Sequence, residues 1–316
     1  MSCLWLIQNR HVIFLLERRK YMELKITDLT KKFQDITAVN GVSYTLTPGV
    51  YGLLGVNGAG KTTLMRMLCT LLKPTGGSIT WDGKDIFEMG GEYRRLLGYL
   101  PQDFGYYPDF TVYDYLMYIA AIKGLRPVAA RRRAEVLLGQ VGLTAAKNKK
   151  MKKLSGGMKR RAGIAQAMLG DPQILILDEP TAGLDPNERI RFRNLISELA
   201  EKRLVLLSTH IVSDIEYIAN EILLMQNGEI KASGTTQELL DAMKKQVWSV
   251  SLPKEAVETY MRSYKISNVK TIPGGAQLRI ISAEKPAENA VPETATLEDL
   301  FLDYFGEREG ETDAEI

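Results

Sequence analysis

The chain has 316 residues, 45% of them hydrophobic and 25% charged, and its 41 Lys and Arg against 38 Asp and Glu leave a formal net charge of +3. That size and balance describe a globular chain able to bury one large core and an accessory unit, and the charge is too small to argue for nucleic acid or a membrane surface as partner. Only Cys3 and Cys69 occur, which fits a reducing cytoplasm and excludes a disulfide framework or a zinc site; no uncharged apolar run approaches the roughly 20 residues of a membrane-spanning helix, so a transmembrane role needs a partner chain.

Residues 1–21 hold two apolar patches, 4–7 and 12–16, interrupted by Gln8, Asn9, Arg10 and His11. The interruption makes a poor signal peptide, and the segment is expected to be a disordered leader or a mis-called start in preference to an interfacial helix. From Met22 to residue 54 the pattern is one of short strands with turn signals, ending in Pro48-Gly49 and an apolar run at 50–54. That run feeds GVNGAGKTT at 55–63, a match to G-x-x-x-x-G-K-[ST]. Leu64, Met65, Leu68, Leu71 and Leu72 then recur at helical spacing, and Lys73-Pro74-Thr75-Gly76-Gly77 stops the helix.

Residues 90–150 are expected to be largely helical, with half of the chain's 14 tyrosines crowded between Tyr93 and Tyr118. Tyr115 and Tyr118, at helical spacing, are expected in the core; Tyr106 and Tyr107, between Gly105 and Pro108, are expected at the surface. In LSGGMKRRAG, at 154–163, Ser155 is a good helix N-cap and Gly156 and Gly157 keep the first turn bare, so the positive end of the helix dipole is open to an anion. Eight basic residues and no acidic one between positions 147 and 161 deepen that potential. Met158, Ala162, Ala165 and Leu169 form the buried stripe that mounts this helix.

Residues 174–177 form an apolar run suited to a buried parallel strand, 204–207 another, and a helix over 187–202 joins them. A hairpin follows, turned by Asn227-Gly228. Beyond about residue 245 the texture changes to a small appendix over 246–306: a strand near Trp248, a helix from Pro253, a hairpin at Pro273-Gly274-Gly275, an Ala/Pro/Glu-rich linker, and a last helix opened by the capping-box pattern Thr296-Leu297-Glu298-Asp299. Residues 307–316, with five acids and one arginine, are expected to be a disordered tail.

The chemistry sits at two places. Gly55, Gly58 and Gly60 let the backbone approach phosphates, and the N–H groups of Val56, Asn57, Ala59 and the helix start point at the anion. Lys61 adds charge at the β- and γ-phosphates, Thr62 completes a Mg²⁺ shell, and Thr63 meets the α-phosphate. The strand at 174–177 delivers Asp178 and Glu179 to its C-terminal edge, where ligands of open α/β sheets bind. Asp178 is placed to hold Mg²⁺ directly or through water, and Glu179 to accept a proton from attacking water. His210 lies just past the second strand, at the same edge.

The glycine loop, LSGGM at 154–158, ILILDEP at 174–180 and STH at 208–210 together resemble the ATP-binding subunit of ABC transporters, over about residues 22–245. The resemblance implies an α/β fold: a P-loop NTPase core with a parallel sheet, an antiparallel β subdomain and an α-helical signature subdomain at about 90–165, here with a small α+β appendix. It implies ATP and Mg²⁺ as ligands, Phe33 in place of the usual tyrosine on adenine, and Gln102 of Leu100-Pro101-Gln102 sensing Mg²⁺ and the attacking water while touching a membrane partner. Leu184-Asp185 matches the loop that crosses a dimer axis, and His210 the histidine that bonds the γ-phosphate. It further implies head-to-tail pairing with a second ATPase subunit, a homodimer or a paralogue, in which Ser155, Gly156 and Gly157 complete the neighbour's site. Transmembrane permease subunits, docking on residues 98–118, complete the expected set, with no nucleic acid and a peripheral place on the inner face of the cell membrane. Export is the leading expectation; an importer ATPase is the alternative and a soluble regulator the third.

Overall fold

Residues 22–306 are described by the structure, a computed structural model; the expectations for 1–21 and 307–316 fall outside the described residues. Strands β1 (Leu24–Phe33), β2 (Ile36–Leu46), β3 (Gly49–Leu54), β4 (Gly76–Trp81), β5 (Lys84–Asp85), β6 (Leu97–Leu100), β7 (Ile174–Leu177), β8 (Leu204–Thr209), β9 (Glu221–Gln226) and β10 (Glu229–Gly234) make two sheets. One is antiparallel, in the order β2-β1-β4-β5; the other, β10-β9-β3-β8-β7-β6, is parallel except for the terminal hairpin. Interleaved are helices α1 (Lys61–Leu68), α2 (Ile86–Met89), α3 (Gly91–Leu96), α4 (Val112–Ile122), α5 (Pro127–Gln140), α6 (Gly156–Met168), α7 (Pro186–Ala200), α8 (Val212–Ile215) and α9 (Thr236–Asp241).

Every residue of β7 and β8 is buried, because a parallel sheet is covered on both faces. Period-2 alternation divides them: Leu175, Leu177, Val205 and Leu207 join a core built with α4 to α7, while Ile174, Ile176, Leu204 and Leu206 join one built with α1 and the antiparallel sheet. The central sheet is thus clamped between a helical layer and a β layer, and its C-terminal edge is held rigid.

Some expectations change. The stretch from 90 to 150, expected to be largely helical, also holds a strand, β6, which pairs in parallel with β7. Its Gly98 admits α6, since a Cβ there would lie 2.6 Å from the Ala167 carbonyl. Helix α1 stops at Leu68, short of Leu71 and Leu72, because Thr70 turns left-handed (φ 56°) and a Schellman pair, Thr70 N–H to Met67 O and Leu71 N–H to Arg66 O, closes the end. Tyr118 is not core but 38% exposed, its ring edge-on to Tyr107 and Phe110; Tyr115 is buried, Tyr107 exposed and Tyr106 half-buried.

The C-terminal part adds β11 (Gln246–Pro253), α10 (Lys254–Ser263), β12 (Lys265–Ile272), β13 (Gly275–Ser282), β14 (Val291–Glu293) and α11 (Leu297–Phe305). Its antiparallel sheet runs β12-β13-β11-β14, so part of the stretch expected as linker is an edge strand. Val257 and Tyr260 of α10 cover one face with Val250, Leu278 and Ile280. Alternate residues meet α11, which opens with the expected capping box at Thr296 and Asp299. Leu297 and Leu300 of α11 belong to the main core, beside Leu239 of α9.

Candidate functional site

The loop between β3 and α1 is shaped by its neighbours. Gly60 sits at φ 105°, and a Cβ on it would lie 2.3 Å from the Ala38 carbonyl; one on Gly55 would lie 2.3 Å from that of Met225. Only glycine meets both demands. The loop walls a cavity of about 380 Å³ lined by Ala38, Asn57, Gly58, Ala59, Gly60, Lys61, Thr62, Thr63, Gln102 and Glu179. A strand-loop-helix turn at the edge of a parallel sheet has therefore gathered backbone donors, a cation, two hydroxyls and a carboxylate around one concavity.

Lys61 Nζ donates to the carbonyls of Gly55 (2.6 Å) and Val56 (3.0 Å) and lies 3.7 Å from Glu179 Oε1. Burial lowers its pKa, and the Glu179 and Asp178 carboxylates oppose that shift. Asp178 is buried; its Oδ1 accepts from Ser208 Oγ (2.7 Å) and Thr62 Oγ1 (3.2 Å). Asp178 Oδ2 and Glu179 Oε1 are buried without a hydrogen-bond partner among the described residues, a costly state unless a ligand or water completes them. His210 Nδ1 lies 3.0 Å from Glu179 Oε2, within hydrogen-bond distance.

Glu179 itself adopts φ 45°, a left-handed value that costs a non-glycine residue roughly 1–3 kcal/mol. Its N–H donates to Ser208 Oγ (2.9 Å) and its carbonyl accepts from Arg160 Nη2 (3.2 Å). Ser208 and Arg160 are functional candidates that the sequence reading passed over. The register Leu177↔Leu207 puts Asp178 beside Ser208, a signal visible once the two strands are taken as parallel neighbours; Arg160 was hidden in a run of basic residues.

Among the described residues there is no cluster of three or more His, Cys, Asp or Glu able to cage a metal. Mg²⁺ needs no such cage, since it takes one or two carboxylate or hydroxyl oxygens along with phosphates and waters. The orphaned Asp178 Oδ2 beside the Thr62 hydroxyl fits that demand.

The remaining sequence candidates lie outside the cavity lining. Phe33, 45% exposed at the end of β1, has Lys31 Nζ 5.1 Å from its ring centroid. Ser155 caps α6 by accepting from Met158 N–H (3.2 Å) and is exposed with Gly156. Gly157 is packed: a Cβ would lie 2.7 Å from Glu188 Oε2. Asp185 caps α7, accepting from Glu188 N–H (2.9 Å).

Residues 39–182 match the ABC transporter family. The uncharacterized ABC transporter ATP-binding protein YxlF of Bacillus subtilis is 38% identical over 239 residues, 75% of this chain and 79% of that protein. The Nod factor export ATP-binding protein I of Burkholderia pseudomallei is 38% identical over 214 residues, 67% of this chain and 70% of its own. A solved ATP-binding subunit of an ABC transporter superposes with a TM-score of 0.62 at 29% identity, over 69% of this chain and 92% of that one.

Proposed function

Because the chain belongs to the ABC transporter ATP-binding proteins, we propose that it hydrolyses ATP at Glu179 to drive export through separate permease subunits. The observation that carries this reading is the group at the sheet edge: Lys61, Thr62, Asp178, Glu179, Gln102 and His210 converge on or beside one cavity walled by the glycine loop, with two carboxylate oxygens left uncompleted. In this reading the loop N–H groups from Gly55 to Thr63 and the Lys61 ammonium bind the phosphates, and Phe33 stacks on adenine. Thr62 and Asp178, with Gln102 nearby, would hold Mg²⁺, which would supply neutralisation of the phosphate charge. Glu179, held through Oε2 by His210, orients the attacking water and accepts its proton at Oε1.

The exposed Ser155-Gly156 start of α6 is an anion-binding helix end that contributes nothing to its own chain's cavity lining. A second ATPase subunit, identical or a paralogue, is the proposed recipient, with Asp185 near the shared axis. Among the described residues no helix is long and apolar enough to cross a membrane. The reading gives the passage to permease chains docking near Tyr106 and Tyr107 and sets this chain on the inner face of the membrane. Export, in preference to import, is supported by the name of the Nod factor relative.

The test is Glu179→Gln in the full-length chain. Turnover should fall by about 10²-fold or more, the usual loss with a general base, while ATP still binds and a dimer elutes early in size exclusion with ATP present. Turnover at the wild-type rate would remove Glu179 from catalysis.

A further inference from the structure

We infer that Arg160 is a positioning residue: its guanidinium clamps the main chains of Gln102 and Glu179 together, so that the general base is held in place from the α6 start. The inference rests on the proposed role of Glu179. Nη1 donates to the Gln102 carbonyl (2.6 Å) and the Pro101 carbonyl (3.3 Å), and Nη2 to the Glu179 carbonyl (3.2 Å). No carboxylate forms an ion pair with Arg160 among the described residues, so its charge-assisted bonds go to backbone oxygens. Two of the three acceptors, Gln102 and Glu179, line the cavity from different loops.

The placement gives the clamp mechanical meaning. Glu179 occupies a left-handed conformation that persists only when its surroundings over-determine it. On one side Ser208 accepts its N–H; on the other Arg160 donates to its carbonyl. Arg160 lies one helical turn beyond Gly156, within the rigid first turns of α6. A shift of the Ser155 end relative to the sheet therefore pulls on the Gln102 loop and on the peptide carrying the base at the same time. An arginine suits this work because its planar fork reaches several acceptors in a fixed geometry, whereas a lysine presents one point charge.

The experiment measures steady-state ATPase activity, nucleotide binding and melting temperature on full-length Arg160→Ala, Arg160→Lys, Glu179→Gln and the Arg160→Ala/Glu179→Gln pair. Arg160→Ala should lower kcat by about 10- to 100-fold with KM and ATP affinity within about twofold, the split expected when only the transition state is touched. Methylguanidinium in the assay should restore part of that loss, and Arg160→Lys should fall between wild type and Ala. The double variant should turn over no more slowly than Glu179→Gln alone, since both act through one base. If Arg160→Ala folds poorly, Arg160→Lys carries the same kcat-against-KM comparison. Wild-type kcat in Arg160→Ala beside an inactive Glu179→Gln, or an additive loss in the double variant, would overturn the clamp and leave Glu179's role standing. An active Glu179→Gln would instead remove the reading beneath it.

Discussion

Ser208 is fully buried and works in two directions, donating to Asp178 Oδ1 and accepting from Glu179 N–H. One hydroxyl thus sets the spacing of the two acidic residues that follow β7. Removing it leaves a buried N–H without a partner, at about 1–3 kcal/mol, next to a backbone already in a strained region. Ser208→Ala is therefore expected to lower turnover by about tenfold or more, each 1.4 kcal/mol of lost positioning being one decade, with ATP affinity little changed. Steady-state kinetics with a parallel binding titration check this. A variant that melts earlier yet turns over normally would make Ser208 a fold residue only.

At the scale of elements, α6 and α7 behave as one block. Arg161 Nη1 donates to Glu188 Oε2 at 2.6 Å with both side chains only 15% exposed, Gly157 packs against the same carboxylate, and Asp185 caps α7 through Glu188 N–H. Arg161→Ala should destabilise the chain by about 2 kcal/mol in urea unfolding, the loss of a hydrogen bond to a charged group, because Glu188 then keeps only Arg191, 2.8 Å from its other oxygen and itself exposed. Arg161→Met with Glu188→Leu should recover much of that loss; no recovery would show that the pair is not what holds the helices. Such links explain what could be read in advance. The runs at 174–177 and 204–207 were legible because strands covered on both faces leave unbroken apolar stretches, and the glycine loop, Asp178-Glu179 and His210 were legible because each is a short contiguous pattern. Strand β6 was not, since LGYL carries a glycine whose purpose is the close approach of α6, and β14 is three residues around Pro292 paired only at an edge. Ser208 and Arg160 gain their roles from sheet register and from a helix crossing two loops, neither of which leaves a local pattern.

At the scale of the whole molecule, α11 ties the C-terminal sheet to the ATPase body: Leu297 and Leu300 enter the main core, and Gln226 Nε2 donates to the Tyr304 carbonyl. The electrostatic half of the tie is Asp299, which accepts from Arg279, Ser267 and Thr296. Burial pushes its carboxyl pKa up, but the Arg279 guanidinium and the Ser267 and Thr296 hydroxyls outweigh burial and hold it at about 2, below the ordinary 3.8. A carboxyl whose folded pKa is depressed stabilises the fold above its unfolded pKa and loses that contribution as pH falls through the folded one. Stability from this tie is thus fully present above about pH 4 and drains away toward pH 2. Asp299→Asn should unfold at lower urea than wild type at pH 7, and the gap between the two should narrow between pH 4 and pH 2. A gap that stays constant across that window would mean that the carboxylate charge is not what fastens α11 to the appended sheet.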